Sequence, residues 1–386
     1  MYSRLLSDII KSRVDSGKAI IVIGPRQVGK TTLIESILAP KDYLLLNGDD
    51  PKTRSLMTEP NTEQIRTILG NSRYVFIDEA QRIEGIGLTM KIITDRFKNV
   101  QLFASGSSSF DLSNKLNEPL TGRKWEYHLY PISWEEYEDR HGFLQAEQNL
   151  ENRLLFGFYP DVLNNVGDEV SVLRNLVSSY LYKDILSYAY IRKPEVLEKL
   201  VQALALQIGN EVNYSELSQI VGVDKNTVSK YIDILEKGYI VFKLSSFNRN
   251  VRNEIRTNKK IYFYDTGIRN MVIGNFNPVE LRKDKGALWE NFLISERLKQ
   301  IEYKQSLARI YFWRTRQQQE VDFVEEEGGI ITGYEFKWHK KRNQKLPKTF
   351  TETYNAQTKV IDRENFREFV VIPKNAHTKV SHVLNI

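Results

Sequence analysis

A chain of 386 residues is too long for one comfortable hydrophobic core, so two or three domains are expected. Its 27% charged and 41% hydrophobic residues are the balance of folded globular domains and exclude a disordered chain. Cysteine is absent, which rules out disulfides, thiolate zinc sites and cysteine nucleophiles, and the net charge of +6 is compatible with a polyanionic partner without establishing one.

In chain order, residues 1–18 read as a short amphipathic helix ending near Gly17. Residues 19–23 are a continuous apolar strand that leads directly into a glycine-rich turn. That run is far too short to span a bilayer; neither a signal peptide nor a transmembrane helix is read, and a cytoplasmic location without membrane association is expected. Helical spacing follows over 31–38 and stops at Pro40. Further strands are predicted over 43–46, 74–77 and 100–104, the last ending in Ser105-Gly-Ser-Ser-Ser109. Strands this apolar, separated by helical segments, indicate a mainly parallel sheet covered on both faces.

From about 132 to 208 the pattern becomes helical, with amphipathic segments over 173–188 and 196–208. A different rhythm occupies 209–245: helical spacing over 214–221, a break at Gly222, helical spacing again over 225–237, then a strand over 239–244. From about 286 a helix over 288–300 is followed by strands near 310–314, 320–324, 331–336 and 367–372. Four regions result: 1–131, 132–208, 209–275 and 286–386.

The turn after the first strand is Gly24-Pro25-Arg26-Gln27-Val28-Gly29-Lys30-Thr31-Thr32. Its spacing, between a strand and a helix, is that of a phosphate-binding loop. The glycines let backbone N–H groups turn toward phosphates, Lys30 reaches the β and γ phosphates, and Thr31 ligates Mg²⁺. ATP and Mg²⁺ are therefore the expected ligands. Forty-eight residues after Lys30, the third strand runs into Asp78-Glu79. Asp78 suits the magnesium shell and Glu79 suits polarisation of the attacking water, which argues for hydrolysis. The next strand ends at Ser105-Gly-Ser107, where Ser107 is favoured over Ser105 as a sensor of the γ-phosphate; a simple strand-ending turn is the alternative. Arg123, in Thr121-Gly-Arg123, reads either as a finger acting on a neighbouring subunit's nucleotide, which implies a homo-oligomer, or as an ordinary surface arginine.

These stretches, Val75-Phe-Ile-Asp-Glu-Ala-Gln81 and Leu120-Thr-Gly-Arg123 among them, resemble the prokaryotic ATPase family that joins an AAA-type ATP-binding domain to a C-terminal DUF4143 domain. Tyr180-Leu-Tyr-Lys-Asp-Ile185, Tyr264-Asp-Thr-Gly267, Trp289-Glu-Asn291 and Glu320-Val-Asp-Phe323 extend the likeness over nearly the whole chain. The resemblance implies a P-loop NTPase domain and a C-terminal restriction-endonuclease-like α/β domain; with the helical pattern of 132–208 and a winged-helix domain read from 209–275, an α/β chain of four parts is expected. The resemblance also implies ATP binding and hydrolysis.

Residues 214–235 have the layout of a helix-turn-helix. Leu217, Ile220 and Val221 would form one buried face and Val228, Ile232 and Leu235 the next. Lys225, Asn226, Thr227, Ser229 and Lys230 are left as donors for phosphates or base edges. Over 243–260, six basic residues (Lys243, Arg249, Arg252, Arg256, Lys259, Lys260) stand against Glu254 alone, which favours a nucleic-acid partner, duplex or branched DNA, over a solvated face. In the last region Glu290 lies on the predicted helix, Asp322 on one strand, and Glu335 with Lys337 on the following one. Asp322 and Glu335 are candidates for a second divalent metal with Lys337 beside it, as in the PD-(D/E)xK nuclease core that the resemblance implies. The opening Arg316-Gln-Gln-Gln-Glu320 lacks that core's usual Pro-Asp, so a DNA-binding or assembly domain that retains the shape without cutting is favoured over an active nuclease. Lys340, Lys341 and Arg342 add a second basic patch. Three readings follow: an oligomeric ATPase coupling its nucleotide state to DNA binding or remodelling, a nucleotide-operated switch for protein partners, and an ATP-regulated metal-dependent endonuclease.

Overall fold

Five short strands build a wholly parallel sheet in the order β2-β3-β4-β1-β5. They are β1 Ala19–Ile23, β2 Tyr43–Asn47, β3 Tyr74–Asp78, β4 Gln101–Gly106 and β5 Lys124–His128. β1 and β4 are buried along their whole length, as the unbroken apolar runs require. β5 escapes the sequence reading because Lys-Trp-Glu-Tyr-His carries an edge strand's charges; it pairs with β1 on the side away from β4. Because β4 lies between β1 and β3, the chain leaves β1, β3 and β4 at one edge, where Ile23 stands beside Gly106 and Ile77 beside Ala104. Ligands of open parallel sheets bind at that carboxyl edge.

The computed structural model describes residues 2–107, 119–179, 193–248, 259–340 and 345–371. Contacts divide the chain into two units. One comprises Met1–Ile132 with the short pieces Tyr159–Asp161 and Lys237–Tyr239; the other comprises Ser133–Phe158, Val162–Glu236 and Ile240–Ile386. Among the described residues no helix is long and apolar enough to cross a membrane.

The second unit opens on helices and is organised by a mixed seven-stranded sheet, β12-β11-β10-β9-β7-β8-β6. Its strands are β6 Glu211–Val212, β7 Val241–Ser246, β8 Lys259–Phe263, β9 Arg309–Arg314, β10 Glu320–Glu327, β11 Ile330–Phe336 and β12 Gln357–Ile361. β6, β7 and β8 pair antiparallel and join β9 through a parallel β7–β9 contact. The regions 209–275 and 286–386 thus share one sheet. Helix Lys285–Tyr303 precedes β9; three antiparallel strands follow, then helix Lys348–Tyr354 and the parallel strand β12. Two expectations are corrected here. Residues 366–370 form a helix, Phe366–Val370, instead of a strand, because Phe366, Phe369 and Val370 are buried at helical spacing. Ile220 is 51% exposed, so Leu217 and Val221 alone carry the buried face of helix Tyr214–Val221.

Aromatic packing holds this unit together: Trp134 meets Phe366 at 5.1 Å between ring centroids, Trp289 meets Phe366 at 5.3 Å, and Phe158 stacks on Phe292 at 6.0 Å. Each fully buried side chain of this size contributes about 2–3 kcal/mol. Two of the family-like stretches act structurally. Asp265 caps helix Thr266–Val272 by accepting the Ile268 N–H at 3.1 Å, and it also accepts the Phe158 N–H at 2.7 Å. Gly157 must lack a side chain, because a Cβ would stand 2.1 Å from Asp265 Oδ1. Asn291 pairs its amide with both the N–H and the C=O of Phe263, at 2.8 and 2.9 Å, which fixes helix Lys285–Tyr303 against β8.

Candidate functional site

At the carboxyl edge of the parallel sheet, the turn 24–29 joins β1 to helix Lys30–Leu38. Two residues in it adopt left-handed backbone, Gln27 at φ 60° and Gly29 at φ 91°. Gly24 is obligatory for another reason: a Cβ there would lie 2.0 Å from the Leu129 carbonyl oxygen. The loop is pinned from behind by Arg4, whose guanidinium donates to Val28 O at 2.7 Å and Tyr130 O at 2.6 Å. Nothing in the sequence marks Arg4, because its partners lie 24 and 126 residues away.

Lys30 is buried, and its ammonium donates to Gly24 O at 3.0 Å and Pro25 O at 2.6 Å. Burial pulls its pKa down to about 8; the Glu79 and Asp78 carboxylates oppose the shift and Arg26 adds to it. Thr31 Oγ1 donates to Asp78 Oδ2 at 3.0 Å, so the hydroxyl of the loop and the carboxylate of β3 stand together. The other oxygen of Asp78 accepts the Ser105 hydroxyl and the Glu79 N–H, the latter at 3.1 Å. Glu79 turns out of the strand in left-handed conformation, φ 47° and ψ 42°. Its carboxylate accepts from the Gln81 amide, which also donates to Ser107 Oγ at 2.9 Å.

Lys30, Thr31, Asp78, Glu79 and Ser107 thus converge with the loop residues Gly24 to Thr32, and two residues join them: Ser105, which sequence reasoning weighed only as the less favoured sensor, and Gln81, which it left without a role. Ser105 orients Asp78, and Gln81 bridges Glu79 to Ser107. Alternation along β4 was the available signal for Ser105; Gln81 had only its place in the acidic stretch. Arg123 is not brought to this site. It precedes β5 at the opposite edge of the sheet, its carbonyl accepting the Ala19 N–H at 2.9 Å, about 16 Å along the strands from the loop. Its guanidinium pairs with Asp95 at 2.7 Å.

In the second unit, helices Tyr214–Val221 and Lys225–Lys237 are separated by three residues, with Gly222 in left-handed conformation at φ 73°. Lys225, Asn226 and Lys230 are exposed, Thr227 and Ser229 half-buried. Asp224 accepts the N–H groups of Asn226 and Thr227 at 2.9 and 3.0 Å, which caps the second helix and engages Thr227. The basic stretch 243–260 is weaker than its count suggests, because Lys243 is held by Asp233 and Glu236 and Lys260 is buried against carboxylates. Arg249, Arg252 and Arg256 lie outside the described residues, as do Lys341, Arg342 and the Tyr180–Ile185 stretch; Lys340 pairs with Glu364 at 2.6 Å.

The C-terminal candidates do meet. Asp322 accepts the Phe336 N–H at 2.8 Å and Lys337 pairs with Glu335 at 2.6 Å. The Asp322 carboxyl is pushed up to about 8 by burial and by the Glu290 and Glu335 carboxylates, against the Phe336 N–H and Lys260.

Residues 16–138 match the model of an AAA domain, 147–279 a domain of unknown function, DUF8612, and 285–386 a domain of unknown function, DUF4143. An uncharacterised protein of Mycobacterium tuberculosis is 25% identical over 324 residues, covering 82% of this chain and 70% of its own. One of Haemophilus influenzae is 26% identical over 316 residues, covering 75% and 74%. Among solved structures, the Walker-type ATPase of Pyrococcus abyssi shares the fold, with a TM-score of 0.51 and 15% identity over 70% of this chain and 96% of that one. The N-terminal domain is an AAA-type P-loop module that binds and hydrolyses ATP, and the chain ends in a DUF4143 domain.

Proposed function

We propose that this ATPase, with its DUF4143 domain, couples ATP turnover to the binding or remodelling of DNA. The observation that carries the DNA part is the helix pair at 214–237. A short helix and a three-residue turn present Lys225, Asn226 and Lys230 on the exposed face of the second helix. The surrounding order of helix Pro194–Leu206, β6, two helices, β7 and β8, with β6, β8 and β7 antiparallel, supports a winged helix. The order of helix, three antiparallel strands, helix and parallel strand in 285–361 supports a restriction-endonuclease-like shape for the C-terminal domain.

At the nucleotide, the turn 24–29 and Lys30 receive the phosphates, and Glu79 takes the proton of the attacking water. Gln81 holds the Glu79 carboxylate beside Ser107, where the γ-phosphate is sensed. The side-by-side Thr31 hydroxyl and Asp78 carboxylate fit Mg²⁺ and would hold it; the ion supplies charge neutralisation of the β and γ phosphates when bound.

Alanine at Lys225 and Lys230 together is expected to weaken binding to labelled duplex and to lower the salt slope by about one to two units, with basal ATP turnover intact. Unchanged DNA affinity would remove this helix from the proposal and favour a switch that engages protein partners. Assembly rests on reading Arg123, which lies away from its own loop, as a finger for a neighbour's nucleotide; its pair with Asp95 suits an ordinary surface arginine equally well. Mixing Arg123→Ala with Lys30→Ala is expected to restore part of the turnover that each lacks alone; no restoration removes the finger role.

A further inference from the structure

We propose that the Lys260 ammonium completes the C-terminal carboxylate cluster in the place of a divalent metal ion. On this reading the cluster clamps β8 to β10 and to helix Lys285–Tyr303 instead of cutting phosphodiesters. The nuclease likeness would put a metal ion at Asp322 and Glu335, but the donor set does not fit one. Lys260, on β8, is 1% exposed, and its Nζ lies 2.5 Å from Glu320 Oε1 and 3.2 Å from Glu290 Oε1. Tyr262 projects from the same face of the strand and donates its hydroxyl to Glu290 Oε1 at 2.5 Å.

Of the remaining carboxylates, Asp322 Oδ2 accepts the Phe336 N–H and Glu335 Oε1 pairs with a second ammonium, that of Lys337. Among the described residues no three carboxylate or imidazole groups are placed to share a metal ion. A dication would have to enter beside a buried ammonium whose departure breaks two ion pairs, after which Glu320 keeps only its longer pair with Arg314 and Glu290 its Tyr262 hydroxyl. The cluster therefore carries its own cation, drawn from a strand about sixty residues ahead of Asp322 in the chain. That separation is why Asp322, Glu335 and Lys337 look like a complete metal site when read along the sequence.

The test uses the nucleotide-free full chain, titrated with Mn²⁺ and followed by electron paramagnetic resonance, and its thermal unfolding in EDTA and in Mn²⁺. Wild type is expected to show no Mn²⁺ site that Asp322→Asn removes, and the same Tm in both media. Lys260→Met is expected to unfold at lower temperature in EDTA and to recover part of the loss in Mn²⁺, because the vacated carboxylates then accept the ion. A wild-type Mn²⁺ site lost in Asp322→Asn overturns the proposal, as does a Lys260→Met protein with wild-type Tm and no gain in Mn²⁺ binding. Should Lys260→Met fail to fold, the wild-type and Asp322→Asn titrations decide by themselves.

Discussion

Glu79→Gln is expected to lower ATP turnover about 10²–10⁴-fold while nucleotide affinity stays near wild type, because the substitution removes the proton acceptor and keeps the shape. The loss corresponds to about 3–5 kcal/mol of barrier. The two carboxylates take different partners, Glu79 the Gln81 amide and Asp78 the Thr31 and Ser105 hydroxyls, so one acid can serve the ion and the other the water. Gln81→Leu probes the same carboxylate from behind. Without the amide that ties it to Ser107, Glu79 is less well placed, and kcat should fall about tenfold with KM little changed. Steady-state phosphate release with a fluorescent nucleotide titration separates the two effects. Full turnover in Glu79→Gln would show that another group accepts the proton.

Lys30→Ala is expected to weaken ATP binding about 10–100-fold, the loss of one or more charge-assisted hydrogen bonds of about 1.5–3 kcal/mol. The ammonium donates to Gly24 O and Pro25 O, which holds it at the loop that takes the phosphates. Burial has pulled its pKa from 10.5 to about 8. The unfolded chain keeps this proton up to 10.5 and the folded protein releases it near 8. The penalty of burying the ammonium is therefore present in full below pH 8 and fades as pH rises toward 10.5. Bound polyphosphate favours the charged form and draws the proton back. ATP affinity should then be level below about pH 8 and fall by up to about tenfold per pH unit above it. Titrations at about pH 7 and about pH 9 check this, and Lys30→Ala should flatten the dependence. An equal pH dependence in the variant would assign the titration to another group.

Much of the nucleotide site was legible because its parts are local. A strand, a six-residue turn and a helix follow one another at Gly24–Lys30, and Asp78-Glu79 ends a continuous apolar run. What lies beyond reach is contact between distant segments. Arg4 supports the loop from the N-terminus, and Ser105 meets Asp78 only because β4 is inserted between β1 and β3. The strand β5 was hidden by its charges, since an edge strand need not be apolar. In the second unit, a run of buried aromatic residues near the C-terminus served a helix and a strand equally well until packing chose the helix. Charge counting misled at Lys243 and Lys260, whose partners Asp233, Glu236, Glu290 and Glu320 lie on other elements. A formal excess along the chain is not an exposed excess on the surface.

The coupling of ATP turnover to DNA is tested most directly by measuring phosphate release with and without linear duplex, single-stranded and junction DNA, on wild type and Glu79→Gln. The account predicts that at least one DNA form raises wild-type turnover, that the effect fades as salt rises, and that Glu79→Gln binds the same DNA without responding. Equal turnover with and without every DNA form, together with no DNA binding at moderate salt, would contradict it.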